Sequence, residues 1–150
     1  YASSMLSCQE AHVLGYKAVL YTESIEHRYI EECGAANFIA IKDGHYITPK
    51  SPSILPSITN DSLRQIAADK GFVVEQRPID IAELPTFEEC GACGTGAIIT
   101  PLSNVFDPQT GEKIHYTDET GPVLLDLYNT FQDIQYGRAE DKFGWCVLVE

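Results

Sequence analysis

FEECGACGTGAIITP, residues 87–101, is the stretch around which the rest of the sequence is organised: an acidic entry, a glycine-rich turn, and an apolar strand ended by Pro101. Small residues around Thr95 let backbone N–H groups approach a ligand closely, and a concave row of such groups favours an anion such as phosphate or carboxylate. Glycine-rich turns more often do no more than reverse the chain. This stretch alone therefore leaves an anion site and a plain turn both open.

Length and composition indicate one globular domain. The chain has 150 residues, of which 44% are hydrophobic and 10% aromatic, which is enough for a substantial core. It contains no repeat, linker or low-complexity segment, so we expect a single domain over residues 1–150. Because the sequence opens at Tyr1 and enters a helix-like segment at once, we expect this domain to belong to a longer protein.

Charge and hydropathy argue against several kinds of partner. Ten Lys and Arg residues stand against 22 Asp and Glu residues, a net charge of −12, which argues against binding nucleic acid or an anionic membrane surface. The sequence lacks an apolar run of the roughly 18 residues that a membrane span needs, and no signal peptide opens it. We expect a cytoplasmic protein.

The cysteines predict free thiols, because an odd number in a chain large enough to fold without crosslinks favours a reducing compartment. The five are Cys8, Cys33, Cys90, Cys93 and Cys146. Cys90-x-x-Cys93 admits a redox pair, half of a zinc site, or structural thiols. No second C-x-x-C or H-x-x-x-H accompanies it, which argues against zinc, whereas thiols beside a glycine turn favour redox chemistry slightly more. We predict no metal site.

Two long segments in the first half predict helices. Residues 2–14 carry apolar side chains at helical spacing and precede Gly15, which predicts an amphipathic helix. The second helix follows a proline- and serine-rich loop over residues 49–56 and ends at Lys70 and Gly71. Its candidate caps are Thr59, Asn60 and Asp61.

Two further helices are predicted in the second half. Asp80 and Glu83 form a capping-box pattern for a short helix that Pro85 ends. The segment 120–122, Thr-Gly-Pro, opens the last helix. The apolar face of that helix is predicted to consist of Val123, Leu124, Leu127, Tyr128, Phe131 and Ile134.

Strands occupy the intervals between these helices. Asp43-Gly44 is a strong two-residue turn signal between two strand-like segments. The apolar run at 97–99 is predicted to continue toward Val105 and Phe106 as a bent or paired strand. The segments on either side of the Asp43-Gly44 turn, 37–42 and 45–48, are predicted strands, and so are residues 17–22, 27–33 and 72–75. Strands in runs of two, with helices between them, predict an α+β (mixed α/β) fold and not a doubly wound nucleotide fold.

Three polar features are candidate binding groups. Strand alternation places Glu31 and Glu32 on opposite faces. Glu32, on the face of Ile30, then points inward and needs a cationic or hydrogen-bonding partner, with an exposed edge-strand glutamate as the alternative. The helix start at Thr59 offers N–H groups and a favourable dipole to a phosphate, unless it is simply a capped helix. With the turn at Thr95, these groups suit a cofactor that carries a basic ring nitrogen and a phosphate.

Four motifs and the C-terminal tail carry a resemblance to a known family. The motifs are YASS at 1–4, IEECGAAN at 30–37, ILPSIT at 54–59 and GTGAIITP at 94–101, and the tail is DIQYGR at 133–138 with Trp145. On these residues the sequence resembles, over essentially its full length, the class IV, fold-type IV aminotransferases that use pyridoxal 5'-phosphate. The tail is similar to the branched-chain amino acid aminotransferases in particular.

By this resemblance, three residues contact the pyridoxal ring. Glu32 is similar to the carboxylate that pairs with the ring nitrogen and keeps it protonated, so that the ring acts as an electron sink. Tyr1 matches the tyrosine that contacts the ring hydroxyl. Leu55 matches the apolar residue that packs against the ring.

The resemblance implies phosphate and substrate contacts at the two anion-binding features. Ile58 and Thr59 at the helix start, together with the Thr95 hydroxyl, are expected to hold the phosphate. The backbone N–H groups of Thr95 and Gly96 are expected to receive the α-carboxylate of the substrate. Ser57 departs from the family, which has glycine before this helix.

The resemblance also implies what surrounds this chain. The expected fold is the large C-terminal domain, with strands curled into a partial barrel and flanking helices. The Schiff-base lysine is expected upstream of Tyr1, and no lysine here has a matching context, so no catalytic residue is assigned and the chain alone is expected to be inactive. The small N-terminal domain is likewise expected outside the chain. The intact homodimer is expected to exchange the amino group between leucine, isoleucine or valine and 2-oxoglutarate.

Two alternatives accompany this interpretation, an aminodeoxychorismate lyase-type enzyme and a non-catalytic ligand-binding or assembly domain. The tail at 133–138 argues against the lyase, and the retained cofactor residues argue against the non-catalytic domain. In the mammalian branched-chain enzymes a C-x-x-C motif matches Ala97 and Thr100. The resemblance therefore gives Cys90 and Cys93 no inherited redox role.

Overall fold

The computed structural model describes residues 2–149, which form a seven-stranded sheet, a two-stranded ribbon and three α-helices. The helices are α1 (Met5–Val13), α2 (Ile58–Asp69) and α3 (Pro122–Gln135), with 3-10 turns at Ala2–Ser4 and Ile81–Thr86. The strands of the sheet are β1 (Leu20–Thr22), β2 (Ile30–Cys33), β3 (Ala36–Lys42), β4 (His45–Pro49), β5 (Val73–Arg77), β6 (Glu89–Gly94) and β7 (Ile98–Pro101). The ribbon pairs β8 (Asn104–Phe106) with β9 (Lys113–His115).

The sheet is built around β3. β6 pairs with β3 from Asn37 to Ile41 on one side, and on the other side β2 pairs with its beginning and β4 with its end. β5 lies parallel to β4 after the α2 crossover, while every other strand pair within residues 2–149 is antiparallel. Over this part of the chain the sheet stays open. The mixture of helices with a mainly antiparallel sheet agrees with the predicted α+β class.

Alternating side chains of β3 belong to two cores. Ile39 and Ile41 contribute to the core that includes α2 and α3, whereas Phe38 and Ala40 contribute to the core on the opposite face. The first core also contains Tyr46, Leu63, Ile66, Leu124, Leu127 and Ile134, and the second contains Ile30, Ile47, Ile79, Leu84 and Phe87. Each fully buried Ile, Leu or Phe contributes about 1.5–3 kcal/mol, so these contacts hold the helices against the sheet.

A buried carboxylate caps α3 from a distant strand. Glu89, only 7% exposed, accepts hydrogen bonds from Val123 N at 3.0 Å and Leu124 N at 2.8 Å. These are free N–H groups of the first helical turn, where a negative charge also complements the helix dipole. Gly121 precedes the helix, and a Cβ there would lie 2.1 Å from Glu89 Cδ. The Gly-Pro helix start therefore leaves space for the carboxylate.

Most of the predicted elements are confirmed. Asp43 and Gly44 have φ values of 48° and 75° in the tight turn between β3 and β4. Asp80 and Glu83 form the predicted reciprocal capping box. The last helix begins at Pro122, and its predicted apolar face lies in or against the first core.

Three details differ from prediction. The cap of α2 is Ser57, which precedes all three candidates, and the helix begins at Ile58. β7 and β8 are separate strands that pair with different partners. The amphipathic character predicted for residues 2–14 is wrong, because α1 buries none of its residues. Within the described part of the chain, α1 approaches the sheet through Cys8, whose Sγ lies 3.6 Å from Tyr21 Oη.

Candidate functional site

A bulge in β2 orients Glu32. Tyr21 pairs with Glu32 but Thr22 pairs with Ile30, so Glu31 is an extra residue in the β1–β2 ladder. Ile30 packs in the second core with Phe38. Asn37 is adjacent to Phe38 on β3 and therefore faces the opposite side of the sheet. Glu32 pairs directly with Asn37, so it lies on that opposite side as well. The prediction that Glu32 shares a face with Ile30 is wrong, because the bulge interrupts the alternation. Glu32 is half-buried between β1 and β3 and is not an edge residue.

Asn37 links this carboxylate to the loop before α2. Its side-chain amide donates to Glu32 Oε1 at 3.4 Å and to the Leu55 carbonyl oxygen at 3.3 Å. Asn37 is only 5% exposed, so its side-chain amide depends on such protein partners. Ser51, in the same loop, donates its hydroxyl to Glu31. The two adjacent glutamates therefore both connect β2 to the loop that presents Leu55, whose side chain is exposed.

The start of α2 leaves two backbone N–H groups free of helical acceptors. Ser57 Oγ accepts from Asn60 N at 3.1 Å, and the Ser57 carbonyl accepts from Asp61 N at 3.0 Å. The helix itself offers no acceptor to the N–H groups of Ile58 and Thr59. Ser57 has φ −106° and ψ 125°, an extended conformation that any residue adopts, so serine takes the place of the family's glycine without strain.

The turn between β6 and β7 lies at the same end of the sheet. Cys93 of β6 pairs with Asn37 of β3, and the next residue, Gly94, pairs with Ile98 of β7. Residues 95–97 therefore form a three-residue turn that begins two residues after the partner of Asn37. Thr95 and Gly96 are exposed there. Ile98, which closes the turn, has φ 58° although its side chain is buried. A β-branched residue is strained in this left-handed region, so the surrounding core imposes the shape of the turn.

The structure thus brings most of the predicted residues to one end of the sheet. Glu32 and Leu55 meet through Asn37, and the helix start follows Leu55 by three positions. A cavity of about 390 Å³ lies against the same loop, and its lining includes Asn37, Leu55 and Ile58 but not the Glu32 carboxylate or the turn. Tyr1 lies outside the described residues.

The structure excludes the redox-pair interpretation of Cys90 and Cys93. They lie three positions apart on β6 and belong to different cores. Three strand positions separate their Cα atoms by about 10 Å, whereas a disulfide needs less than about 7 Å. Burial raises the pKa of both thiols to about 12, so both are structural. Among residues 2–149 no three His, Cys, Asp or Glu side chains come together as a metal site.

Two asparagines of this region were missed by sequence reasoning. Asn37 opens the apolar strand NFIAIK, and Asn60 lies on the buried face of α2. Each asparagine lies at a position where an apolar residue is expected, and that is the signal that could have identified it. A buried amide needs hydrogen-bonding partners, so such a residue points to a polar contact. Their side-chain partners come from other strands and from the loop before α2, and could not be read from local sequence.

The sequence pattern of the amino-transferase class IV family matches residues 1–105, and this chain belongs to that family. It is 42% identical over 160 residues to a branched-chain-amino-acid aminotransferase of Haemophilus influenzae, covering 100% of this chain and 46% of that protein. It is also 42% identical over 151 residues to the enzyme of that name from Helicobacter pylori, covering 99% and 44%. The chain therefore spans less than half the length of these relatives.

Solved structures give the same result. A branched-chain amino acid aminotransferase from Escherichia coli superposes with a TM-score of 0.82 at 32% identity, covering 97% of this chain and 47% of that one. The enzyme of that name from Thermobaculum terrenum, solved in its PLP-form, gives 0.79 at 30% identity, covering 93% and 44%. These likenesses confirm the predicted fold class. No helix among residues 2–149 combines the length and apolarity of a membrane span.

Proposed function

We propose that this chain is the cofactor-binding, C-terminal large domain of a branched-chain amino acid aminotransferase that uses pyridoxal 5'-phosphate. The observation that carries this proposal is the arrangement around Asn37, which joins the Glu32 carboxylate to the loop of Leu55. A half-buried carboxylate, an exposed apolar side chain and a helix start follow one another along this end of the sheet. These three groups match the three parts of the cofactor in turn: the ring nitrogen, the ring face and the phosphate.

The ring end of the site belongs to Glu32 and Leu55. Pyridoxal phosphate, when bound, supplies the electron sink for removal of the amino acid α-proton. Glu32 holds a proton on the ring nitrogen, and Asn37 keeps the carboxylate oriented toward it. Leu55 covers the ring with an apolar surface that excludes water. Tyr1 is proposed to contact the ring hydroxyl on the strength of the resemblance.

The phosphate end belongs to the α2 helix start and the β6–β7 turn. The N–H groups of Ile58 and Thr59 point out of the helix at the positive end of its dipole. The next N–H group, that of Asn60, already donates to Ser57 Oγ. Thr95 donates its hydroxyl to the phosphate. The N–H groups of Thr95 and Gly96 orient the substrate by its α-carboxylate.

The intact protein is proposed to act in the cytoplasm as a homodimer. Its amino-acid substrates are leucine, isoleucine or valine, as the names of its relatives support. The 2-oxo acid partner is proposed to be 2-oxoglutarate on the strength of the resemblance. The lysine that anchors the cofactor and moves the α-proton, and the small N-terminal domain, are proposed to lie outside this chain.

Amino transfer by the full-length protein tests the proposal. Purified with pyridoxal phosphate, it should convert leucine and 2-oxoglutarate to glutamate and the matching 2-oxo acid, whereas residues 1–150 alone should not. Release of pyruvate from aminodeoxychorismate would instead identify a lyase. Absence of both reactions, with no bound pyridoxal phosphate, would identify a non-catalytic domain and overturn the proposal.

A further inference from the structure

A buried chain of hydrogen bonds joins the start of α2 to the central strand. Tyr46 Oη lies 2.9 Å from Asn60 Oδ1, Asn60 Nδ2 lies 2.8 Å from Thr48 Oγ1, and Thr48 Oγ1 lies 2.9 Å from the Phe38 carbonyl oxygen. The side chains come from β4 and α2, and the chain ends on the backbone of β3. We call it the Asn60 relay.

The direction of every bond in the Asn60 relay is fixed by its last acceptor. The Phe38 carbonyl can only accept, so the Thr48 hydroxyl donates to it and must accept from the NH2 group of Asn60. The carbonyl oxygen of Asn60 then faces Tyr46, whose hydroxyl donates. Tyr46, Thr48 and Asn60 are 0%, 1% and 8% exposed, so water does not replace a lost partner.

The Asn60 relay connects the two ends of the candidate site. The backbone N–H of Asn60 is held by Ser57 Oγ, which fixes the first turn of α2 and with it the N–H groups of Ile58 and Thr59. At the other end, Phe38 directly follows Asn37, whose amide holds Glu32. One short segment of β3 is thus bonded to the group proposed for the ring nitrogen and to the helix start proposed for the phosphate.

We propose that Asn60 is a positioning residue that sets the distance between the phosphate-binding N–H groups and the Glu32 carboxylate. This inference rests on the function proposed above. A rigid cofactor fixes the separation between its ring nitrogen and its phosphate, so the protein must hold both sets of contacts to within about 0.5 Å. Apolar contacts alone do not define a position along the sheet so sharply, whereas the relay has one arrangement that satisfies every group.

The test compares two ligands that differ only in the phosphate. Dissociation constants for pyridoxal 5'-phosphate and pyridoxal are measured by fluorescence titration of the full-length apoprotein. The Kd of pyridoxal divided by the Kd of pyridoxal 5'-phosphate is the ratio that reports the phosphate contacts. Asn60→Leu removes the centre of the relay, and Tyr46→Phe deletes one hydroxyl with little change of shape. The inference predicts that each variant lowers the ratio by about three- to tenfold, the equivalent of one hydrogen bond, while pyridoxal itself binds as before.

Leu63→Ala is the matched control, because it removes a fully buried side chain from the same helix outside the relay. It should lower the melting temperature and leave the ratio unchanged. If Tyr46→Phe and Asn60→Leu also leave the ratio unchanged, or weaken both ligands equally, Asn60 is only structural and the inference is wrong while the proposed function stands. If the wild-type protein does not prefer the phosphorylated ligand, both are wrong.

Discussion

Asn37 and Glu32 face each other across the β2–β3 pair, and the Asn37 amide lies 3.4 Å from Glu32 Oε1. The contact exists because the bulge at Glu31 reverses the alternation of β2 at this point. Two adjacent glutamates therefore have separate environments. Glu32 is proposed to face the ring nitrogen of the cofactor, whereas Glu31 accepts a hydrogen bond from Ser51 in the loop.

This difference predicts unequal effects of two substitutions in the full-length protein. Glu32→Gln removes the negative charge that stabilises the protonated ring nitrogen, and kcat for leucine should fall by about 10²–10³-fold. Glu31→Gln retains a hydrogen-bond acceptor for Ser51 and should change kcat only slightly. Single-turnover and steady-state rates with leucine and 2-oxoglutarate measure both, and equal effects would contradict the assignment of Glu32.

The Glu89 cap of α3 predicts a large stability effect away from the site. Glu89→Ala leaves the N–H groups of Val123 and Leu124 buried without their acceptor, which should cost about 1–3 kcal/mol each. Gly121→Ala should also destabilise, because the new Cβ would overlap Glu89 Cδ. Urea unfolding measures the change in free energy. The exposed Gly111→Asn is the control, since asparagine tolerates the left-handed backbone found there.

In the double variant Glu89→Ala with Gly121→Ala the overlap disappears. The two free-energy changes should then be less than additive. Full additivity would show that Gly121 is needed for a reason other than space for the carboxylate.

Glu83 predicts a defined pH dependence of stability. Its two oxygens accept from Arg77 at 2.9 and 2.8 Å, and these bonds, with the backbone bond from Asp80, hold its pKa below the ordinary value of 4.5. A carboxyl whose folded pKa is depressed adds stability above its unfolded pKa and loses it as the pH falls through the folded value. The free energy of unfolding should therefore decrease as the pH drops below about 4.5.

The Glu83→Gln variant tests this dependence. It should be less stable than the wild type at pH 7, and the difference should shrink as the pH falls below the ordinary glutamate pKa of 4.5. Glu112→Gln, in an exposed turn, is the control and should follow the wild type. A constant difference between Glu83→Gln and wild type from neutral to strongly acidic pH would contradict the role of the Arg77 pair.

The cysteines should divide into two classes of reactivity. Burial raises the pKa of Cys33 to about 11 and of Cys90 and Cys93 to about 12, whereas Cys146 is exposed and Cys8 half-buried. Iodoacetamide at pH 8 should label Cys146 first, and the three buried thiols only after denaturation. Mass spectrometry of the labelled peptides measures this. A Cys90–Cys93 disulfide after mild oxidation would contradict the opposite-face geometry.

Local signals predicted those parts of the fold that depend on neighbouring residues. The Asp43-Gly44 turn, the Asp80–Glu83 capping box and the Gly-Pro start of α3 each need only a few adjacent residues, and all three are confirmed. The first turn of α2 was misjudged because several consecutive residues all favour a cap. Ser57 takes that position because the chain is still extended there.

Features that depend on distant partners were not predictable from sequence. The bulge at Glu31 arises from pairing with β1, and the Glu89 cap joins residues 34 positions apart. The same holds for Asn37 and Asn60, whose partners lie on other elements. The hydrogen-bonding partner expected for Glu32 is found in Asn37, but the face that alternation assigned to Glu32 is wrong because of the bulge.

The most direct test of the proposed site is a crystal structure of the full-length protein with bound pyridoxal 5'-phosphate. The ring nitrogen should lie within hydrogen-bond distance, about 2.7–3.2 Å, of a Glu32 carboxylate oxygen, with phosphate oxygens at the same distance from the Ile58 and Thr59 nitrogens. A ring nitrogen that faces another residue, or a phosphate held away from the start of α2, would contradict the account.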